Sequence, residues 1–256
     1  MSALLEVSSL SKRFGGVQAV QSVSFQVKQG TVKALIGPNG AGKTTLFNLV
    51  SGVVHPDAGE VRYRGAAIQG RPTHQVAGLG ISRTFQQIRL FSGKTALENV
   101  MVGRHPRSRA GFMAGLLHLP RTWEEERTIE AKAREALEFM GIADLAGAEA
   151  TSLSYGQQRA VELARALAAE PELLLLDEPA AGLNMRETVE LAKLVGRLKA
   201  RGLTVLLVEH DMGLVMSVSD EVVVLSYGQK IADAPPRAVQ RDPEVIRIYL
   251  GEEEPP

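Results

Sequence analysis

The sequence has no cysteine among its 256 residues. Disulfides, thiolate metal sites and cysteine nucleophiles are therefore excluded. It also lacks net charge, with Lys+Arg and Asp+Glu both 29. Nucleic-acid binders usually carry a basic excess or stripe, so this balance argues against nucleic acid as a partner. No apolar run approaches the roughly 20 residues that a transmembrane helix needs. The opening MSALLEVSSL has neither the charged start nor the long apolar stretch of a secretory signal. Internal repeats and low-complexity segments are missing too. The expectation from these absences is a soluble, cytoplasmic protein. A 45% hydrophobic content suffices for a sizeable core, either one large α/β domain or a core with a smaller satellite.

What is present centres on Gly37-Pro38-Asn39-Gly40-Ala41-Gly42-Lys43-Thr44, which fits the phosphate-binding pattern G-x-x-x-x-G-K-[ST]. The apolar run Thr31 to Ile36 before it reads as a buried strand, and Lys43 to Val50 after it as the start of a helix. Glycines let backbone N–H groups close around phosphates as an anion nest. The helix N-terminus adds unpaired donors and the positive end of its dipole. Lys43 can neutralise β- and γ-phosphates, and the Thr44 hydroxyl can ligate Mg²⁺.

Along the chain, Leu4 to Val7 and Val23 to Val27 read as strands flanking a basic turn, Lys12 to Gly16. Glu60 to Ile68 alternates like a half-exposed strand, which predicts an antiparallel region beside a mainly parallel sheet. From 91 to 169 the character is helical, in ALENVMVG and in TWEEERTIEAKAREALEFMG, and strong β signals are absent. This predicts an inserted helical subdomain over 91–169, with a core formed by 1–90 and 170–256. Arg104 to Arg109 (RHPRSR) reads as a solvated loop or as a surface near lipid headgroups or a membrane partner. The core resumes with ELLLLD (Glu172 to Asp177), an amphipathic helix Met185 to Ala200, the strand Leu203 to His210 and the strand Val222 to Leu225. Such alternation implies parallel pairing through right-handed crossovers. Pro243 to Leu250 reads as a terminal helix, and Glu252 to Pro256 as a frayed acidic tail.

Three further stretches carry chemistry. Asp177, ending a buried strand beside a phosphate loop, is placed to hold Mg²⁺ through its water shell. Glu178 next to it can orient or activate an attacking water. His210 also ends a strand, where α/β sheets gather their ligand sites. An imidazole there can hydrogen-bond a γ-phosphate and fix the carboxylate, whereas His55, His74, His105 and His118 read as structural. Leu153-Ser154-Tyr155-Gly156-Gln157 is a second anion-binding candidate: Ser154 can be a helix N-cap or a phosphate ligand, and Gly156 permits close backbone approach.

The set GPNGAGKT, a glutamine after Arg83-Thr84-Phe85, LSYGQ, LLLLDEP and His210 resembles the ATP-binding subunit of an ABC transporter over essentially the whole chain. That resemblance implies one ATP-binding domain spanning 1–256, an α/β P-loop NTPase core with mainly parallel sheet, an antiparallel β region and the helical subdomain. It implies ATP and Mg²⁺ as cofactors and a head-to-tail pair with a second ATP-binding subunit, as a homo- or heterodimer. ATP would lie between Gly37–Thr44, with Thr45, of one subunit and Ser154, Gly156 and Gln157 of the other. Gln86 resembles the glutamine that senses Mg²⁺ and the catalytic water and links to a membrane permease. Phe14 sits where the family has an aromatic stacking on adenine, and such stacking tolerates different bases. Ile88, Leu90 and Phe91 would either touch a permease helix or pack the subdomain. The subunit would work on the inner face of the cell membrane through permease subunits, and indirectly with a solute-binding protein.

Two departures from the commoner family pattern are Tyr155 in Ser-Tyr-Gly and Asn184 where aspartate is frequent. Both, with SRTFQQIRLF, AAGLNMRE, VEHDMGLVM and DPEVIRIYLGE, resemble the branched-chain amino acid importer branch. Urea or amide importers share much of this wording. A non-transport ABC ATPase acting on DNA or ribosomes fits less well, because the segment between Gln86 and LSYGQ is short. A nucleotide-binding module without hydrolysis conflicts with Glu178 and His210.

Overall fold

The structure, a computed structural model, describes residues 2–84, 86–104 and 120–250. Phe85, the 105–109 part of the basic stretch with His105, His118 and the acidic tail 252–256 lie outside them. The chain divides into two compact units, Met1–Val76 with Leu173–Pro256, and Ala77–Glu172.

In the first unit, β3 (Val32–Ile36), β7 (Leu173–Asp177) and β8 (Thr204–Val208) are each five residues long and wholly buried. With β9 (Glu221–Ser226) and β10 (Gln229–Ala234) they lie in the order β10-β9-β3-β8-β7. β9, β3, β8 and β7 run parallel, and β10 returns antiparallel to β9. Parallel strands are covered on both faces, so their sequences are apolar runs without alternation. Lys33, buried inside β3, is the exception: its ammonium lies 3.0 Å from Glu221 and 2.7 Å from Asp233, and donates to the Gln26 carbonyl at 2.8 Å. A buried cation persists only with such partners.

An antiparallel sheet in the order β2-β1-β4-β5 completes this unit, from β1 (Ala3–Phe14), β2 (Val17–Lys28), β4 (Ala58–Tyr63) and β5 (Ala66–Ala67). Both long strands extend well beyond the sequence expectation. Lys12 to Phe14 are strand, and only Gly15-Gly16 turn. Register shifts between Val7 and Leu10 and between Leu10 and Lys12 break the period-2 pattern, so the alternation that marks a strand is lost where bulges insert residues. Likewise Glu60 to Ile68 is not one strand. Arg64 (φ 51°) and Gly65 (φ 74°) form a tight turn between β4 and β5, the left-handed pair that two-residue hairpins require.

Helices of this unit are α1 (Lys43–Val50), α2 (Thr73–Gly78, ending in the other unit), α6 (Met185–Ala200), α7 (Met212–Val218), α8 (Pro236–Val239) and α9 (Pro243–Leu250). The second unit holds the short strand β6 (Ile81–Arg83) and α3 (Ala96–Val102), α4 (Pro120–Phe139) and α5 (Tyr155–Ala168). Those three helices share a core of Val100, Ala133, Leu137, Val161 and Ala164. Leu90 packs against this core, whereas Phe91 is exposed. Buried Asn99 closes the Phe91 loop, accepting from Phe91 N–H at 2.7 Å and donating to the Phe91 carbonyl at 3.2 Å. Arg104 is a structural residue, bonded to the Ala168 carbonyl at 3.1 Å and to Glu170. Among the described residues no helix is long and apolar enough to cross a membrane.

Candidate active site

Parallel pairing in β9-β3-β8-β7 brings the strands' C-terminal ends to one edge of the sheet, where open α/β sheets bind ligands. Four sequence features follow those ends: Gly37 to Thr44 after β3, Asp177-Glu178 at β7, Glu209-His210 after β8, and Tyr227 after β9. The phosphate loop is shaped by glycine at two tight places. A Cβ at Gly37 would stand 2.2 Å from the Leu225 carbonyl oxygen, and one at Gly42 2.3 Å from that of Ala19. Gly42 is the left-handed N-cap of α1 and supplies no side-chain cap. The first N–H groups of that helix are left for an anion, as helix N-termini allow.

A cleft of about 350 Å³ opens here, lined by Val17 to Ala19, Asn39 to Thr45, Glu178 and Tyr227. Lys43 lies along its floor, buried, and donates to the Gly37 and Pro38 carbonyls at 2.7 and 2.9 Å. Burial lowers the Lys43 pKa, and the charge of Glu178 opposes that shift. Glu178 has φ 46°, a left-handed backbone in which non-glycine residues are strained and which clusters at functional sites. Its N–H donates to the Val208 carbonyl at 2.9 Å, and its carbonyl accepts from Ala181 at 3.1 Å. Asp177 is buried at the end of β7, opposite Val208.

His210 and Phe14 are both exposed, and neither is among the cleft-lining residues. Phe14 pairs with cleft-lining Val17 across the β1–β2 turn, and Lys12 Nζ stands 5.4 Å from its ring centroid. Gln86, Ser154, Gly156 and Gln157 belong to the second unit. Ser154 caps α5: its hydroxyl oxygen accepts from Gln157 N–H at 3.4 Å, and Gln157 Oε1 accepts from Ser154 N–H at 3.0 Å. Capping uses a lone pair of the hydroxyl and leaves its proton to donate, so N-cap and phosphate ligand are compatible roles. Tyr155 starts α5 and is exposed. Asn184 likewise caps α6, accepting from Glu187 N–H at 3.0 Å.

Several residues that sequence reasoning missed hold these groups in place. Glu209 has no exposed surface; its carboxylate accepts from Ala180 N–H at 2.7 Å, His210 N–H at 2.9 Å and Asp211 N–H at 3.2 Å. It thereby joins the loop after Glu178 to the loop carrying His210. An acid closing an apolar run was the available signal, since a buried carboxylate must find donors. Tyr249 of α9 lies one helical turn beyond Val245, which packs on Ala34 and Ile36. Its oxygen accepts from Gly37 N–H, while burial pushes its pKa up to about 12. In the second unit, Arg159 and Arg165 of α5 flank buried Glu162 at 3.2 and 3.7 Å and donate to the Gln86 and Arg89 carbonyls at 3.5 and 2.5 Å. The helix that Ser154 caps thus also holds the backbone of the Gln86 segment.

A glycine loop between a buried strand and a helix, facing acids at neighbouring strand ends, defines a P-loop nucleotide-binding α/β protein. The chain belongs to the ABC transporter family, whose model matches residues 20–181, and it is an ATP-hydrolysing subunit of that family. Residues 229–255 match a second model, the branched-chain amino acid ATP-binding cassette transporter. Among its relatives, the high-affinity branched-chain amino acid transport ATP-binding protein BraF of Pseudomonas aeruginosa is 46% identical, over 97% of this chain and 98% of that protein. The corresponding protein LivG of Escherichia coli is 42% identical over the same shares. A crystal structure of the ADP conformation of an ATP-binding cassette of an ABC transporter superposes with a TM-score of 0.85 at 34% identity, covering 98% of this chain and all of that one.

Proposed function

We propose that this chain energises the import of branched-chain amino acids, as one of two ATP-binding subunits attached to transmembrane permease subunits. The observation that carries the reading is the near full-length similarity to BraF, joined to a cleft that sets Lys43 against Glu178. In it, the loop Gly37 to Thr45 wraps the β- and γ-phosphates, which the N–H groups of Gly40 and of Gly42 to Thr45 and the Lys43 ammonium bind, and Phe14 stacks on adenine. Glu178 orients and deprotonates the attacking water, and His210 hydrogen-bonds the γ-phosphate and holds Glu178. Gln86 reports the state of the site to the permease, and exposed Phe91 supplies an apolar contact there. Ser154, Gly156 and Gln157 close on ATP held by the partner subunit. Mg²⁺, when bound, would neutralise charge on the phosphates. The residues that would hold it are Thr44, Asp177 and Gln86, a donor set that suits an ion keeping several of its waters. Among the described residues no cluster of three or more His, Cys, Asp or Glu forms a metal cage, and Mg²⁺ on substrate phosphates does not need one. Placement would be peripheral on the inner membrane face, with a solute-binding protein as an indirect partner.

The test is uptake of labelled leucine and of labelled urea in cells lacking this gene. Leucine uptake restored by the wild type, but not by Lys43→Ala, supports the proposal. Normal leucine uptake with failed urea uptake sinks the amino acid assignment.

A further inference from the structure

We infer that Tyr227, on the turn between β9 and β10, makes an aromatic contact to the base of the bound nucleotide. The inference rests on the nucleotide reading of the cleft and adds a residue to its base-facing half. Three observations support it.

Sheet order comes first. β9 is the direct parallel neighbour of β3, with Ile36 opposite Val224, so the turn that follows β9 emerges beside the loop that follows β3. The turn is also pinned there: Gly228 N–H donates to the Ala41 carbonyl at 3.0 Å, and Gln21 N–H to the Gly228 carbonyl at 2.7 Å. A Cβ at Gly228 would stand 2.9 Å from the Ala19 oxygen, so the turn cannot shift without disturbing the phosphate loop or β2.

Tyr227 itself is the second observation. It is 91% exposed, lines the cleft, and has φ 46°. An aromatic residue is a poor choice for a left-handed turn position, where glycine, asparagine or aspartate is at ease. The two-residue hairpin between β9 and β10 requires a left-handed backbone there, as it does at Arg64-Gly65, but neither that turn nor packing calls for an exposed ring at the position.

The chemistry of the cleft is the third. Its floor is amides and Lys43, suited to phosphate, while Val17, 68% exposed, and Tyr227 form an apolar rim. A nucleotide has the same polarity, anionic at one end and a flat π-face at the other, and stacking on an aromatic is tolerant of which base is present.

The experiment measures binding of ATP and of inorganic tripolyphosphate to the full chain by calorimetry, for the wild type, Tyr227→Asn and Tyr227→Phe. Asparagine tolerates the left-handed backbone, so its fold should survive. Tyr227→Asn is expected to weaken ATP by about tenfold and to leave tripolyphosphate unchanged; Tyr227→Phe should bind both like the wild type. Wild-type ATP affinity in Tyr227→Asn overturns the inference. An equal loss for ATP and tripolyphosphate overturns it as well, because that would be damage to the phosphate loop. Failure of the wild type to bind either ligand would overturn the nucleotide reading itself.

Discussion

Replacing Glu209 with Gln should uncouple the two strand-end loops of the site. The wild-type carboxylate accepts three backbone N–H groups, one through Oε1 and two through Oε2. An amide presents one acceptor oxygen and one NH₂ donor. Its better orientation keeps the oxygen on His210 and Asp211 and sets the NH₂ against the Ala180 N–H, donor against donor. The Ala180 bond, at 2.7 Å the shortest of the three, is lost in a site with no exposed surface. A hydrogen bond to a charged group contributes about 1.5–3 kcal/mol, so a loss near 2 kcal/mol is expected. For a protein of this size that corresponds to a fall in Tm of roughly 4–8 °C. Ala180 stands two residues after Glu178, so the loop holding the proposed base loosens. Displacements on the order of 1 Å cost up to about a hundredfold in rate. ATPase turnover should therefore fall by about tenfold or more, while ATP affinity, set by the phosphate loop, changes little. Calorimetric melting and steady-state ATPase assays on the purified variant decide the matter. A Glu209→Gln protein that melts with the wild type and turns over at its rate would refute the reasoning.

Other outcomes follow from single contacts. Glu178→Gln keeps the size of the side chain and removes the base, so ATP should bind and persist with turnover reduced on the order of 10² or more; near wild-type hydrolysis would show the base has been misassigned. Asn184→Ala deletes the N-cap of α6 and should cost about 1 kcal/mol, read as a modest fall in denaturant midpoint, whereas an unchanged midpoint would mean the cap is redundant. Gly103→Ala would put a Cβ 2.0 Å from the Arg165 carbonyl oxygen, and such overpacking typically costs about 1–3 kcal/mol; wild-type stability would show that α3 and α5 separate freely. The Lys94 ammonium, with the Thr95 N–H and hydroxyl, holds the Glu98 pKa down to about 2. Because that folded value is depressed, the cap of α3 keeps its full contribution above the ordinary glutamate range near 4.5 and loses it as pH falls through about 2. A carboxyl NMR titration of Glu98 with an ordinary midpoint contradicts this.

The amino-acid sequence by itself determined the elements whose signal is local. Gly37 to Thr44 reads as a phosphate loop because its glycines, lysine and threonine act through backbone and side chains a few residues apart. Met185–Ala200 and Pro243–Leu250 are helices over the same residues that the sequence pattern marked. The apolar runs ending at Asp177 and near His210 are strands because a parallel sheet buries both faces of each. Tertiary structure alone decided what depends on neighbours distant in the chain. The length of β1 and β2 was hidden by bulges, which destroy the period on which a strand is recognised. Glu209 closes an apolar run, but which donors it meets was decided only when the Ala180 and His210 amides converged on it. Tyr249 and Tyr227 come to the phosphate loop only because β9 pairs with β3 and α9 packs Val245 on Ala34 and Ile36. Local chemistry is written in neighbouring letters. Which remote donor, ring or carbonyl a side chain meets is set by strand order and packing, which no short window of sequence contains.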